Sequence, residues 1–282
     1  MPKATVLDNV VRKLARERAD RLRSAYLANG VAAEELAAGE AELKAELAPM
    51  FKSWKPSMRM PRKGISGAIN DNRFKNLFET QTSYGYNDFE GRRNLSSEYF
   101  GTRPNEEREK YGYIRRPKKY GHDDVENYGD FIVEFKPDVR RRMTVTNGDS
   151  YNNLMGNFLT SMVAPGSPIV VDDPETYINW MGQSMSEFDQ DPEVYNGRMM
   201  RKVLDDLRSY HRPTLGNDDY VEAQYHGPLT LDDVKSVTVP MEARYFRSWR
   251  PAFNLQNDLM DASGRRGFSV YGEDGECIYN CR

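Results

Sequence analysis

The change of texture at Pro56 constrains this chain more than any other feature. Before it, residues 5–48 are dominated by Ala, Leu, Arg, Lys and Glu, all strong helix formers. Val10, Leu14, Leu22 and Tyr26 recur at near-helical spacing with charged residues between them, the pattern of an amphipathic helix. Asn29-Gly30 is its stop signal. Leu36, Leu43 and Leu47 mark one stripe of a second helix, which Pro49 is expected to close. After Pro56 alanine becomes scarce, and short alternating runs, glycines, asparagines and tyrosines take over. Helices followed by many short strands predict an α+β protein with mainly antiparallel sheet. The division is a helical arm over 1–50, a principal domain over 51–240, and a C-terminal extension over 241–282 to which no role attaches.

The strand candidates follow from pattern. SMRMP (Ser57–Pro61) is short and ended by proline, and FETQTS (Phe78–Ser83) is the next extended run. YGDFIVEFKPDV, from Tyr128, places Phe131, Val133 and Phe135 on one face, as a half-buried strand does. RRRMTVTNGDS carries Met143 and Val145 into an Asn147-Gly148 turn. SPIVVDD, YVEAQYHG and LTLDDVKSVTVP complete the set, the last with Val237 and Val239 on one side. VYNGRMMRKVLDDLRSYH reads as helix in its second half.

Several function classes are disfavoured. With 40 Lys and Arg against 43 Asp and Glu, the net charge of −3 lacks the basic surplus of a general nucleic-acid binder. The N-terminus has no apolar stretch of signal-peptide length, and no run approaches the roughly 20 apolar residues of a membrane span. The expectation is a soluble protein of a bacterial cytoplasm, a virion, or a host cell reached without a cleaved signal. Cys277 and Cys281 form at most half a metal site, and His122, His211 and His226 are too scattered to complete one. Two free thiols are expected. No glycine-rich phosphate loop, GxSxG elbow or Cys/His nucleophile pair is present.

What remains is a basic residue on an early strand (Arg59), a hydroxyl-rich run (Thr80, Thr82, Ser83), and a late strand carrying Glu222 and Gln224. In this order they resemble the R-S-E arrangement of ADP-ribosyltransferases. NRFKNLFETQTSYG, YGD, FKPDVRRRMTVTNGDS and YVEAQYHGPLTLDDVKSV are similar to consecutive blocks of bacterial and phage-encoded members. The resemblance spans roughly Ser57 to Pro240. It implies a split antiparallel β-sandwich with flanking helices, and cleavage of NAD between nicotinamide and ribose with transfer of ADP-ribose to a protein or other macromolecular acceptor.

Positive charge develops on the ribose as nicotinamide leaves, as it does in glycoside cleavage. By the resemblance, the carboxylate of Glu222 steadies that charge, Arg59 grips the pyrophosphate through its planar fork, and Thr80, Thr82 and Ser83 hold Glu222 in place. Tyr84 or Tyr86 offers a ring to stack on nicotinamide. One departure is plain. Many arginine-modifying members carry Glu or Gln two residues before the catalytic Glu, whereas here that position is Tyr220 and the second polar residue, Gln224, follows. Either the motif is a variant with Glu222 catalytic, or glutamine fills the catalytic slot. The alternative function is a catalytically silent interaction protein of the same fold, such as a phage head-associated protein, docking on a phage or host assembly through its helical arm.

Overall fold

A computed structural model of the protein describes residues 7–81, 89–117, 125, 128–148, 150, 167–182, 194–209, 220–240 and 250–281. The chain opens with α1 (Asn9–Ala28) and α2 (Ala33–Ser53), then β1 (Lys55–Met60), α3 (Arg62–Asp71), α4 (Leu77–Thr80) and α5 (Phe89–Phe100). Next come β2 (Lys110–Arg115), β3 (Phe131–Phe135), β4 (Met143–Asn147), β5 (Ile169–Val170), α6 (Gly197–Ser209), β6 (Val221–Tyr225) and β7 (Val234–Val239). The chain ends with α7 (Arg250–Arg266), β8 (Ser269–Gly272) and β9 (Cys277–Tyr279). Among the described residues no helix is long and apolar enough to cross a membrane.

The α+β class holds, and the described strands join edge to edge in one mixed sheet of order β5-β4-β6-β2-β1-β3-β7-β8-β9 rather than in two facing sheets. All neighbours are antiparallel except β7 and β8, which run parallel, with α7 as the crossover that parallel pairing needs. β3 sits near the middle and is buried along its whole length, so it is a doubly covered strand and not the half-buried one that its alternation suggests.

Side chains directly opposite one another across a ladder share a face, and the register separates the two faces by chemistry. One carries Met58, Ile114, Val133, Phe135, Met143, Val145, Val221, Ala223 and Tyr225, all within the main hydrophobic core. That core includes the apolar stripes of the helical arm: Leu22 and Tyr26 of α1, and Leu36, Leu43, Leu47 and Met50 of α2. Burial of such stripes, rather than propensity, holds helices in place. The first half of α1 turns to a second cluster, where Val11 and Ala15 meet Leu95, Tyr99 and Phe100 of α5 and Val170 of β5.

The opposite face carries a polar row. Thr146 faces Glu222, Glu222 faces Tyr113, Tyr113 faces Ser57 and Ser57 faces Glu134. The row continues through Ser236 to Ser269. Glu134, buried, is held by Lys235 Nζ at 2.6 Å and Lys55 Nζ at 2.9 Å. Burial pushes its carboxyl upward, but the two ammonium groups win and keep it below its ordinary range.

Three local expectations need correction. Pro49 does not end the second helix, which runs on to Ser53. Met50, Phe51 and Trp54 beyond it are buried, and their packing offsets the roughly 3 kcal/mol cost of an interior proline. FETQTS is not a strand at its start. Leu77–Thr80 is a helical turn closed by a capping box, in which Asn76 accepts from the Glu79 N–H and Glu79 returns to the Asn76 N–H. Cys277 and Cys281 are not free thiols but a disulfide. The turn after β9, with Asn280 at φ 51°, brings their Cα atoms to 5.9 Å, within bridging range.

Candidate active site

β6 organises the site because its sequence, VEAQY followed by His226, alternates strictly. Val221, Ala223 and Tyr225 enter the apolar core. Glu222, Gln224 and His226 project to the other side, yet are 4%, 0% and 4% exposed. Polar groups at that depth must be hydrogen-bonded, and β4 supplies the partners. Its Thr144 lies opposite Gln224 and its Thr146 opposite Glu222, with Met143 and Val145 pointing away into the core.

The bonds form a connected set. Thr144 Oγ1 donates to Gln224 Oε1 at 2.9 Å. Gln224 Nε2 donates to Glu222 Oε1 at 2.6 Å and to Thr146 Oγ1 at 3.1 Å. Ser150 Oγ donates to the same Glu222 oxygen at 2.5 Å. Gly148, at φ 78°, permits the backbone reversal that returns Ser150 to the strand. The arrangement suits a carboxylate, which only accepts, and fixes its orientation by two short bonds of the charge-assisted kind. At the far end Thr144 Oγ1 lies 2.9 Å from His226 Nε2, and Phe100 meets the imidazole edge-on at 4.8 Å. Burial, reinforced by the positive charges of Arg103 and Lys110, pushes His226 down to about 3, so the ring is neutral at physiological pH. A cavity of about 220 Å³ adjoins this end, lined by Leu14, Arg18, Glu98, Tyr99, Thr144 and Pro168.

β2 and β1 extend the face. Tyr111 lies opposite Gln224 and donates its hydroxyl to Glu109 Oε1 at 2.6 Å. Burial first, then the charges of Glu109 and Glu222, raise its phenol well above the usual range. Beyond β2, Ser57 aligns with Tyr113, itself aligned with Glu222. Arg59 stands two residues further along β1, hence on the same face. Two inter-strand spacings of about 4.8 Å separate β1 from β6. Arg59 Nη1 donates to the Gly129 carbonyl at 3.1 Å, while its buried Nε has no hydrogen-bond partner among the described residues. Gly129 is obligatory there, since a Cβ would come within 2.2 Å of the Met60 carbonyl carbon.

The structure therefore gathers Glu222 and Gln224 in one network and puts Arg59 on their face. Thr80 is not with them. It lies exposed on α4, and its hydroxyl is turned to the Asn76 carbonyl at 3.2 Å. Thr82, Ser83, Tyr84 and Tyr86 lie outside the described residues. Among the described residues the hydroxyls that hold Glu222 come from TVTNGDS, as Thr146 and Ser150, with Thr144 one step behind. Their signal in the sequence was threonine at alternate positions of a strand whose other residues are apolar. Among the described residues no group of His, Cys, Asp and Glu is placed to hold a metal ion. No protein-family model matches this sequence, and no curated protein matches it.

Proposed function

We propose that the protein is an NAD-dependent ADP-ribosyltransferase, with Glu222 as the carboxylate that acts on the nicotinamide ribose and a protein or other macromolecule as acceptor. The observation that carries this reading is the fixed carboxylate of Glu222 on a sheet face shared with Arg59. A carboxylate oriented beforehand stabilises developing positive charge without reorganising during the reaction. Arg59 brings to that face a planar fork suited to a pyrophosphate, and its buried Nε has no hydrogen-bond partner among the described residues. Gln224 spends both ends of its amide on neighbours, which favours Glu222 as the reacting group and Gln224 as its brace. In this reading the single sheet stands for the family's split sandwich with its halves joined edge to edge.

The test is nicotinamide release from NAD by wild type and Glu222→Gln. The expected loss is on the order of 10²–10³ in rate with the fold retained. Equal turnover by the two proteins removes Glu222 from the mechanism.

The depth of the network supports a second reading. Groups buried as completely as Gln224 also serve to fix a unique packing, which fits a catalytically silent interaction protein of the same fold. Docking on an assembly would then use the outward, charged side of α1 and α2, because their apolar stripes are already in the core. A calorimetric NAD titration separates the two readings: saturable binding for the enzyme, none for the interaction protein.

A further inference from the structure

We infer that His226 is a positioning residue for Glu222: carrying its proton on Nε2, it heads a one-way hydrogen-bond chain His226, Thr144, Gln224, Glu222. The inference deepens the proposed reading and rests on it for the role of Glu222, but the direction of the chain follows from counting protons.

The count begins at the carboxylate. An amide oxygen 2.6 Å from Glu222 Oε1 would be repelled, so the group at that distance must be the Gln224 amide nitrogen. The Gln224 oxygen then faces Thr144 Oγ1 at 2.9 Å and needs a donor. A threonine hydroxyl has one hydrogen, and Gln224 takes it. Thr144 Oγ1 can therefore only accept from His226 Nε2, 2.9 Å away. The imidazole is held in place as well as in tautomer. Phe100 packs against it from α5, and the backbone N–H of His226 donates to the Arg142 carbonyl at 2.9 Å. The charged groups around the ring are Arg103, beyond α5, and Lys110 on β2, both cationic, so a second ring proton is resisted. Each donor points toward Glu222, and such chains polarise cooperatively. Loss of the first donor leaves the Thr144 hydroxyl without the contact that fixes its rotation, and so loosens its bond to Gln224.

The decisive measurement reads the ring in the wild-type protein. Nitrogen-15 NMR of the labelled wild-type protein at neutral pH reads which ring nitrogen of His226 bears the proton, with the resonance assigned by its disappearance in His226→Gln. A proton on Nε2 is expected, with a chemical shift that moves in Thr144→Val and is kept in Thr144→Ser. A proton on Nδ1, a doubly protonated ring, or a shift indifferent to Thr144→Val overturns the inference. In NAD turnover, His226→Gln, whose amide can still donate to Thr144, should stay near wild type. His226→Leu should lose about 10-fold in kcat with KM unchanged, and equal kcat values overturn the positioning role. A wild type that does not turn over NAD removes the enzyme reading alone, and an Nδ1 proton removes this inference alone.

Discussion

The two sides of β6 are built from the same five-residue strand and obey opposite rules. On one side Val221, Ala223 and Tyr225 are interchangeable in kind with their neighbours. They fill space, and Tyr225 adds a hydroxyl donated to the Ser57 carbonyl at 2.8 Å. On the other side hydrogen bonds specify the arrangement, and Ser150, Thr146, Thr144 and Gln224 define the surroundings of one acceptor, Glu222 Oε1. The apolar side tolerates shape changes and penalises lost volume. The polar side tolerates neither a lost donor nor a shifted one. Apolar packing and the hydrogen-bonded network are thus separated by a single residue step along one strand.

This contrast can be broken first from its apolar side. Phe135→Ala removes a fully buried ring in contact with Phe74 and Tyr225. It should cost about 3–5 kcal/mol in denaturant unfolding, while NAD turnover per folded molecule stays unchanged. Lost turnover at full folding would show that the two sides are not independent. The converse change, Glu222→Gln, should lower NAD turnover as stated above and shift the unfolding free energy by about 1 kcal/mol or less. A large drop in stability would mark the carboxylate as structural.

Arg59→Lys keeps a charge but loses the fork. It should raise the KM for NAD by about 10-fold with kcat little altered, since a hydrogen bond to a charged group is of that order. An unchanged KM would detach β1 from the site. The smallest effect is one of pH. His226 titrates near 6.5 when unfolded and at about 3 when folded. As pH falls below 6.5 the unfolded chain therefore binds a proton that the native ring refuses, and stability falls from there toward about 3. Over the first pH unit the loss is about 1 kcal/mol. Unfolding curves at stepped pH should show it in wild type and not in His226→Gln.

Much of the scaffold was legible because periodicity reports burial. The α2 stripe, Leu22 and Tyr26 of α1, and the MTVTN and VEAQY alternations could be read directly. Val10, read onto the α1 stripe, is instead exposed, with Val11 buried in its place. The helix read in the second half of VYNGRMMRKVLDDLRSYH begins earlier, at Gly197. FETQTS could not be read directly, because a short run of aromatic and β-branched residues fits either period. What decides it is the Asn76–Glu79 capping box, whose first member lies upstream of the run. Glu222 and Gln224 were readable as polar residues in an otherwise apolar strand. Ser150 was not, since its place depends on a backbone reversal at Gly148 that a turn signal announces without aiming. His226 looked like a stray histidine, because only the register of β4 against β6 reveals Thr144 beside it. Spacing alone did not pair Cys277 with Cys281. The contribution of β8 to the sheet depends on a crossover through α7, a non-local event with no local signature.

The row of alcohols and acids running from Thr146 to Ser269 carries a consequence for how the chain assembles. A strand that slips by one position exchanges its two sides. For β6 such an error would press Glu222 and Gln224 among Val133, Phe135 and Val145, at a penalty of several kcal/mol for the carboxylate alone. The same groups that ring Glu222 thus fix the alignment of the strand, because a misaligned pairing would bury them without partners.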